Sequence, residues 1–119
     1  MVQSAVPPQI PEIDVQSLQQ KLEANDPTLQ FIDVREPQEL EIASISGFQS
    51  FPLSQYASWE QTIGEQLDPH AETYVLCHHG IRSAQMCGWL LQHGFTFVMN
   101  VAGGIDAYSI RVDESLSRY

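Results

Sequence analysis

Positive charge is scarce in this chain. Its 119 residues include 5 lysines and arginines against 15 aspartates and glutamates, so the formal net charge is −10 at pH 7. Because neutralisation of phosphates supplies most of the affinity for nucleic acids, this balance excludes a protein that binds DNA or RNA through a basic surface. The few cations are therefore informative by position, and one of them, Arg82, follows shortly after Cys77.

Long apolar runs and cysteines are also few. No run approaches the roughly 20 apolar residues that a membrane span needs, so we expect no membrane association. The N-terminus lacks the basic and apolar segments of a signal peptide, and the two cysteines, Cys77 and Cys87, do not make a disulfide framework. We therefore expect a cytoplasmic protein in a reducing compartment.

The composition and length fit one globular domain. Apolar residues make up 43% of the chain and charged residues 17%, which is typical of a folded protein. We expect a flexible arm at residues 1–9, a domain at 10–110 and a C-terminal tail at 111–119, which has the composition of a disordered segment. The oligomeric state stays open between a monomer and a weak dimer.

Apolar and amphipathic segments alternate along the domain. The patterns predict strands within 10–13, 29–34, 48–53, 73–77 and 95–101, and helices after Asp14 and at 37–42, 54–66, 83–93 and 105–108. Such alternation favours a three-layer α/β/α fold with a central, mostly parallel sheet of about five strands. Ligands of such sheets bind beyond the carboxyl ends of the strands, and Cys77 stands at one of these ends.

A short loop from Cys77 to Ser83 carries the chemistry. Between a strand and a helix, backbone N–H groups and the positive end of the helix dipole favour a thiolate and any anion attached to it. Gly80 allows the loop to curl with its amides inward. The sequence therefore predicts a nucleophilic cysteine, with Arg82 as an anion-binding cation.

Four segments, in order, resemble the rhodanese-like sulfurtransferases. The family's active loop, Cys-x-x-Gly-x-Arg, is matched by Cys77 through Arg82, and its closing Gly-Gly segment by Gly103-Gly104-Ile105 with Tyr108. The other two matches are Asp33-Val34-Arg35-Glu36-Pro37 and Ile45-Ser46-Gly47 followed by Phe51-Pro52-Leu53. Together they cover residues 10–110.

The resemblance implies a single-domain sulfurtransferase that works through a persulfide on Cys77. A small-molecule or protein donor gives sulfane sulfur to the thiolate, and cyanide, a thiol or a sulfur-carrier protein removes it, with no cofactor. The sulfur-binding residues are then His78, His79, Gly80, Ile81, Arg82 and Ser83. Asp33 and Arg35 follow a buried strand, and we interpret them as a supporting ion pair that anchors the active face.

Two other function classes remain open. Phosphatases and arsenate reductases on a similar fold also use a cysteine and an arginine, but their loop is longer by one residue than the four residues between Cys77 and Arg82. A non-catalytic sulfur-relay or protein-interaction module is the third class, and the intact Cys77 and Arg82 argue against it.

The remaining polar residues near the loop have plainer interpretations. Adjacent residues rarely converge on a metal ion, so His78 and His79 do not predict a metal site. They either line the rim of the pocket, or one of them is partly protonated and attracts an anionic donor. Cys87 lies on the apolar side of the predicted helix, with Ala84, Leu90 and Leu91, and is expected to be an unreactive core residue.

Overall fold

The computed structural model describes residues 9–119, so the predicted arm at 1–9 lies almost wholly outside the described residues. A single parallel sheet forms the centre. Its strands are β1 (Glu12–Ile13), β2 (Gln30–Asp33), β3 (Gln49–Ser50), β4 (Thr73–Leu76) and β5 (Val98–Val101), and their order across the sheet is β1-β5-β4-β2-β3. All four neighbouring pairs are parallel. The predicted sheet is confirmed, and β4, whose end carries Cys77, lies at its middle.

Helices cover both faces of the sheet. The helices are α1 (Val15–Glu23), α2 (Pro37–Ile42), α3 (Tyr56–Trp59), α4 (Ile63–Gln66), α5 (Ile81–Gln92) and α6 (Gly104–Arg111). Side chains of α1 and α6 share one buried cluster with Tyr74 and Leu76, whereas those of α3, α4 and α5 share the other with Val75 and Cys77. The alternation along β4 follows from the two-residue period of a strand, so Cys77 faces the α5 side.

Local sequence explains where the first helix begins and ends. The Asp14 side chain accepts a 2.7 Å hydrogen bond from the Ser17 N–H, as an N-cap residue does. Val15 and Leu18 point into the core, and Asn25 adopts φ +52° just after the helix. None of the helices in residues 9–119 is long and apolar enough to cross a membrane.

The prediction of a single helix over residues 54–66 is wrong. This segment is a 3₁₀ turn at Leu53–Gln55 followed by the short helices α3 and α4. The Ser54 hydroxyl donates to the Glu36 carboxylate. The Trp59 indole donates to the Pro52 carbonyl at 2.8 Å and keeps the chain in tight turns. Thr62, next to the break, is a poor helix former.

Two further expectations at the C-terminal end of the chain are corrected. The last helix continues from Gly104 to Arg111, beyond the expected end at 108. The tail is not disordered: Leu116 packs against the core cluster of α1 and α6, and the Tyr119 side chain reaches Arg35 and Glu39. Composition could not predict this, because the tail is held by single anchoring contacts that leave no periodic pattern.

Candidate active site

Cys77 lies directly after β4, at the carboxyl edge of the sheet. It is 1% exposed, and its Sγ accepts hydrogen bonds from the Gly80 N–H at 3.0 Å and from the Ser83 hydroxyl at 3.1 Å. The N-terminus of the 12-residue helix α5 begins at Ile81, within the same loop. Two donors and a helix N-terminus at one sulfur form a setting that stabilises a negative charge there.

The loop curls because glycines allow it and α6 holds it. Gly80 has φ +101°, a left-handed conformation that residues with a Cβ rarely adopt. At the start of α6, the Ile105 N–H donates to the Cys77 carbonyl at 2.9 Å and the Asp106 N–H to the His78 carbonyl at 3.1 Å. A Cβ on Gly104 would lie 2.3 Å from the His78 oxygen. The Gly-Gly pair therefore allows the loop and α6 to approach this closely.

Asn100 on β5 supports the active loop through hydrogen bonds, and this role was not predicted from the sequence. Its side chain is buried, and its Nδ2 donates to the Gly80 carbonyl at 2.9 Å while its Oδ1 accepts from the Ser83 hydroxyl. The Ser83 hydroxyl has one proton for two acceptors, the Cys77 sulfur and Asn100 Oδ1. The available signal was a polar residue in the middle of an otherwise apolar strand.

Replacing Asn100 should loosen the loop. In Asn100→Ala the Gly80 carbonyl loses one hydrogen bond and the buried Ser83 hydroxyl loses one acceptor, so we expect a loss of about 1–3 kcal/mol in the free energy of unfolding. Chemical denaturation measures it, and amide exchange of residues 77–83 should rise in the same variant. A variant with wild-type stability and exchange would contradict this role.

Arg82 is already paired, which the sequence did not predict. Its two terminal nitrogens donate to the two carboxylate oxygens of Glu39 at 2.7 and 2.9 Å. Glu39 also completes the capping box of α2 with Glu36. Chiefly because of the Arg82 hydrogen bonds, the pKa of Glu39 falls to about 2, while the same pair raises the pKa of Arg82. That Arg82 binds an anion directly stays a prediction.

Removing the Glu39 charge should change the pH dependence of stability. The lowered pKa of Glu39 stabilises the fold at pH values above its usual range, near 4.5, and this contribution is lost as the pH falls through about 2. Glu39→Gln should therefore be less stable than the wild type at pH 7, and the difference should shrink between pH 4.5 and 2. Urea midpoints across this range measure it, with the exposed Glu41→Gln on the same helix as the control.

Asp33 and Arg35 form a buried ion pair, as the interpretation of these residues expected. Arg35 Nη2 lies 2.7 Å from Asp33 Oδ2, and both side chains are almost fully buried. The guanidinium also donates to the backbone carbonyls of Ala43 at 2.9 Å and Glu39 at 3.3 Å. The pair thus connects the end of β2 to α2 at Glu39 and to Ala43, the residue after α2.

The two loop histidines contact each other with their ring planes tilted by 31°. Their ring centroids are 3.8 Å apart, and His79 Nδ1 is 3.9 Å from the Asp106 carboxylate. Burial, followed by the neighbouring His79, lowers the pKa of His78. Within residues 9–119, no group of three His, Cys, Asp or Glu side chains is placed to hold a metal ion.

The other predicted residues divide between the loop and the core. Ile81 is 72% exposed, so its side chain faces away from the sulfur. Cys87 is fully buried, and burial raises its pKa to about 12, which keeps it an unreactive thiol. Leu91 was expected on the same buried side of α5 but is exposed, and Met86 packs there instead because it lies one helical turn from Leu90.

The chain is similar to proteins with several different names, two of which refer to sulfur chemistry. Rhodanese-like/PpiC domain-containing protein 12, chloroplastic, of Arabidopsis thaliana is 46% identical over 92% of this chain, which spans 38% of that protein. The putative sulfur carrier protein YrkF of Bacillus subtilis is 34% identical over 81% of the chain and 49% of its own length. A sulfurtransferase of Allochromatium vinosum is 32% identical over 82% of the chain and 87% of its own length. The chain thus spans less than half of two of these relatives.

Solved structures and a family model agree on the fold. The rhodanese-like domain protein of Staphylococcus aureus superposes with a TM-score of 0.73 at 25% identity, over 92% of this chain and 99% of its own. A rhodanese-related protein of Thermoplasma volcanium gives a TM-score of 0.70 at 27% identity, over 86% of this chain and 93% of its own. The model of the rhodanese-like domain matches residues 14–111. The chain therefore belongs to the rhodanese-like domain family.

Proposed function

We propose that this protein is a sulfurtransferase in which Cys77 carries the transferred sulfur as a persulfide. One observation carries the proposal: the Cys77 sulfur receives the Gly80 N–H and the Ser83 hydroxyl in front of the N-terminus of α5. These groups suit a sulfur anion in both states of the cycle, the thiolate and the persulfide. The relatives named sulfur carrier and sulfurtransferase support the same chemistry.

The reaction has two displacement steps. In the first, the Cys77 thiolate attacks the outer sulfur of a donor such as thiosulfate; a sulfur–sulfur bond forms, the bond to the sulfite sulfur breaks, and sulfite leaves with the electron pair. In the second, a nucleophile such as cyanide or a thiolate attacks the outer sulfur of the persulfide, and the Cys77 thiolate leaves. Neither step needs an external oxidant or reductant, because the sulfane sulfur is passed on at its own oxidation level.

Ser83 and Arg82 support this cycle in different ways. The Ser83 hydroxyl can turn its single proton from Asn100 to the sulfur when that sulfur is charged. Arg82, held by Glu39, contributes positive potential partly cancelled by its partner. The attraction for an anionic donor is therefore moderate, which favours a donor recognised by more than its charge, such as a protein persulfide.

Phosphatase or arsenate reductase activity fits the site less well. The loop has one residue fewer than those enzymes use, and Arg82 is engaged by both oxygens of Glu39 rather than free to grip a tetrahedral oxyanion. Hydrolysis of an aryl phosphate that exceeds sulfur transfer by the same preparation would reverse this choice.

The partners and location belong to the same proposal. The first step needs Cys77 as a free thiol, which a reducing compartment maintains, and Cys77 and Cys87 are both free thiols. We place the activity in the cytoplasm, although the Arabidopsis thaliana relative is named chloroplastic and the chemistry would serve equally there. A sulfur-carrier protein is a candidate acceptor.

Intact mass spectrometry tests the proposal directly. The protein is incubated with thiosulfate, with a low-molecular-weight persulfide, or with neither, and its mass is recorded without reductant. We expect one added sulfur atom with at least one donor, located on Cys77 by peptide mapping and lost on addition of cyanide. Absence of added sulfur with every donor would contradict sulfur transfer through this cysteine.

A further inference from the structure

The last residues of the chain return to the active loop. We call Asp113–Tyr119 the C-terminal strap. It leaves the end of α6, and Leu116 packs against the core cluster beneath it. Arg118 then binds the Asp106 carboxylate, with Nε at 3.0 Å and Nη2 at 3.5 Å. The strap is thus anchored at two points before it reaches the loop.

Tyr119 closes the strap over the loop. Its ring stacks on His78 with centroids 3.8 Å apart and planes at 7°. Its hydroxyl donates to Glu39 Oε2 at 2.7 Å and accepts from Arg35 Nη1 at 3.0 Å. One side chain therefore contacts the catalytic loop, the Glu39–Arg82 pair and the buried Asp33–Arg35 pair.

The closed arrangement leaves one polar atom unsatisfied. Among the described side chains that are not exposed, His78 Nε2 is the one buried nitrogen or oxygen atom without a hydrogen-bond partner. The ring is enclosed between Tyr119 on one side and His79 on the other. A buried nitrogen without a partner costs free energy, so a ligand that offers this nitrogen a partner competes well with the closed strap.

We propose that the C-terminal strap is a lid, which an anionic sulfur donor displaces so that His78 Nε2 and the Arg35 guanidinium become available to it. The identity of the displacing ligand rests on the proposed sulfur transfer; the opening itself does not. In the closed state the Tyr119 hydroxyl occupies the position on Arg35 Nη1 that an oxyanion would use, and the Tyr119 ring covers one face of His78. When the lid opens, the anionic donor replaces the Tyr119 hydroxyl as the acceptor at Arg35. A charged acceptor forms stronger hydrogen bonds than a hydroxyl does.

Protonation of His78 should favour the open lid. The groups that face this ring are His79, Glu39, Asp106 and Arg82, together with Tyr119. Burial is the largest influence on the pKa of His78 and lowers it. Because closure disfavours the charged ring, the lid should open more often as the pH falls through the ordinary histidine range, around 6.5.

Tyr119→Ala and Tyr119→Phe test the lid, with Tyr56→Ala as the matched control. Tyr56 is 40% exposed and Tyr119 38%, but Tyr56 packs on Trp59 and Trp89, away from the loop. In Tyr119→Ala we expect the pKa of His78, followed by NMR, to rise towards its ordinary value. We also expect amide exchange of residues 113–118 to increase about tenfold, with Tyr119→Phe intermediate and Tyr56→Ala unchanged. A His78 titration that does not move in Tyr119→Ala would overturn the lid.

The addition of thiosulfate is the second test of the lid. Added to the wild type, it should increase exchange in residues 113–118, and in Tyr119→Ala it should show a KM several-fold lower than in the wild type or Tyr56→Ala. Slower exchange, or an unchanged KM in an active protein, contradicts displacement by the donor. If the wild type transfers no sulfur at all, the proposed function fails, and the His78 titration and exchange of the unliganded variants still decide whether the strap is a lid.

Discussion

We expect Cys77→Ser to abolish sulfur transfer from thiosulfate to cyanide while the protein stays folded. A serine hydroxyl does not ionise near neutral pH and cannot hold a transferable sulfur, so the rate should fall at least about a thousandfold. The oxygen can still accept from the Gly80 N–H, so the loop keeps one of its hydrogen bonds. Thiocyanate formation measures the rate, and thermal unfolding measures the stability of the same preparation.

Cys87→Ala is the control for this substitution. Cys87 is fully buried on α5, with a pKa raised to about 12 by burial, so it takes no part as a nucleophile. The variant loses the packing of one small side chain and should keep most of its activity. Comparable loss of transfer in both variants would show that a second thiol resolves the persulfide, contrary to a mechanism with one cysteine.

The second large effect should come from Gly104→Ala. Gly104 has φ +63°, and an added Cβ would lie 2.3 Å from the His78 oxygen and 2.5 Å from the Cys77 oxygen. Backbone carbonyls cannot move aside as flexible side chains do, so either α6 or the active loop must shift. The left-handed conformation alone costs about 1–2 kcal/mol for alanine, and the displacement adds to it. We expect a loss of at least about 2 kcal/mol in stability, together with a large loss of transfer activity.

Gly88→Ala separates this effect from the general effect of removing a glycine. Gly88 lies within α5, and a Cβ there would meet nothing within 4 Å. Alanine in a helix interior should stabilise the protein by roughly 0.5–1 kcal/mol. The two variants are compared by chemical denaturation. If the free energy of unfolding changes equally in both, Gly104 is not required for the close approach of α6 to the active loop.

The role of Glu39 shows where reasoning from the sequence stopped. Its position in α2 allows the local capping box with Glu36, but it does not identify a partner elsewhere in the chain. The structure gives Glu39 its partners by bringing Arg82 and Tyr119, which are 43 and 80 residues away in the chain, within hydrogen-bonding distance. Asn100 was missed for the same reason, since its partners Gly80 and Ser83 belong to another element. Hydrophobic periodicity reports which face of an element is buried and carries no information about such pairs.

By itself, the sequence determined the parallel α/β fold, the position of Cys77 at the end of a strand and the glycine-dependent turn of its loop. These follow from strand and helix periodicity and from the conformations open to glycine, which are local properties. Only the tertiary structure decided that Arg82 is neutralised by Glu39, that Asn100 supports the loop, and that Tyr119 covers His78. Each of these depends on a single long-range contact between polar or aromatic side chains. Such contacts are set by how the finished elements pack, not by the pattern within any one of them.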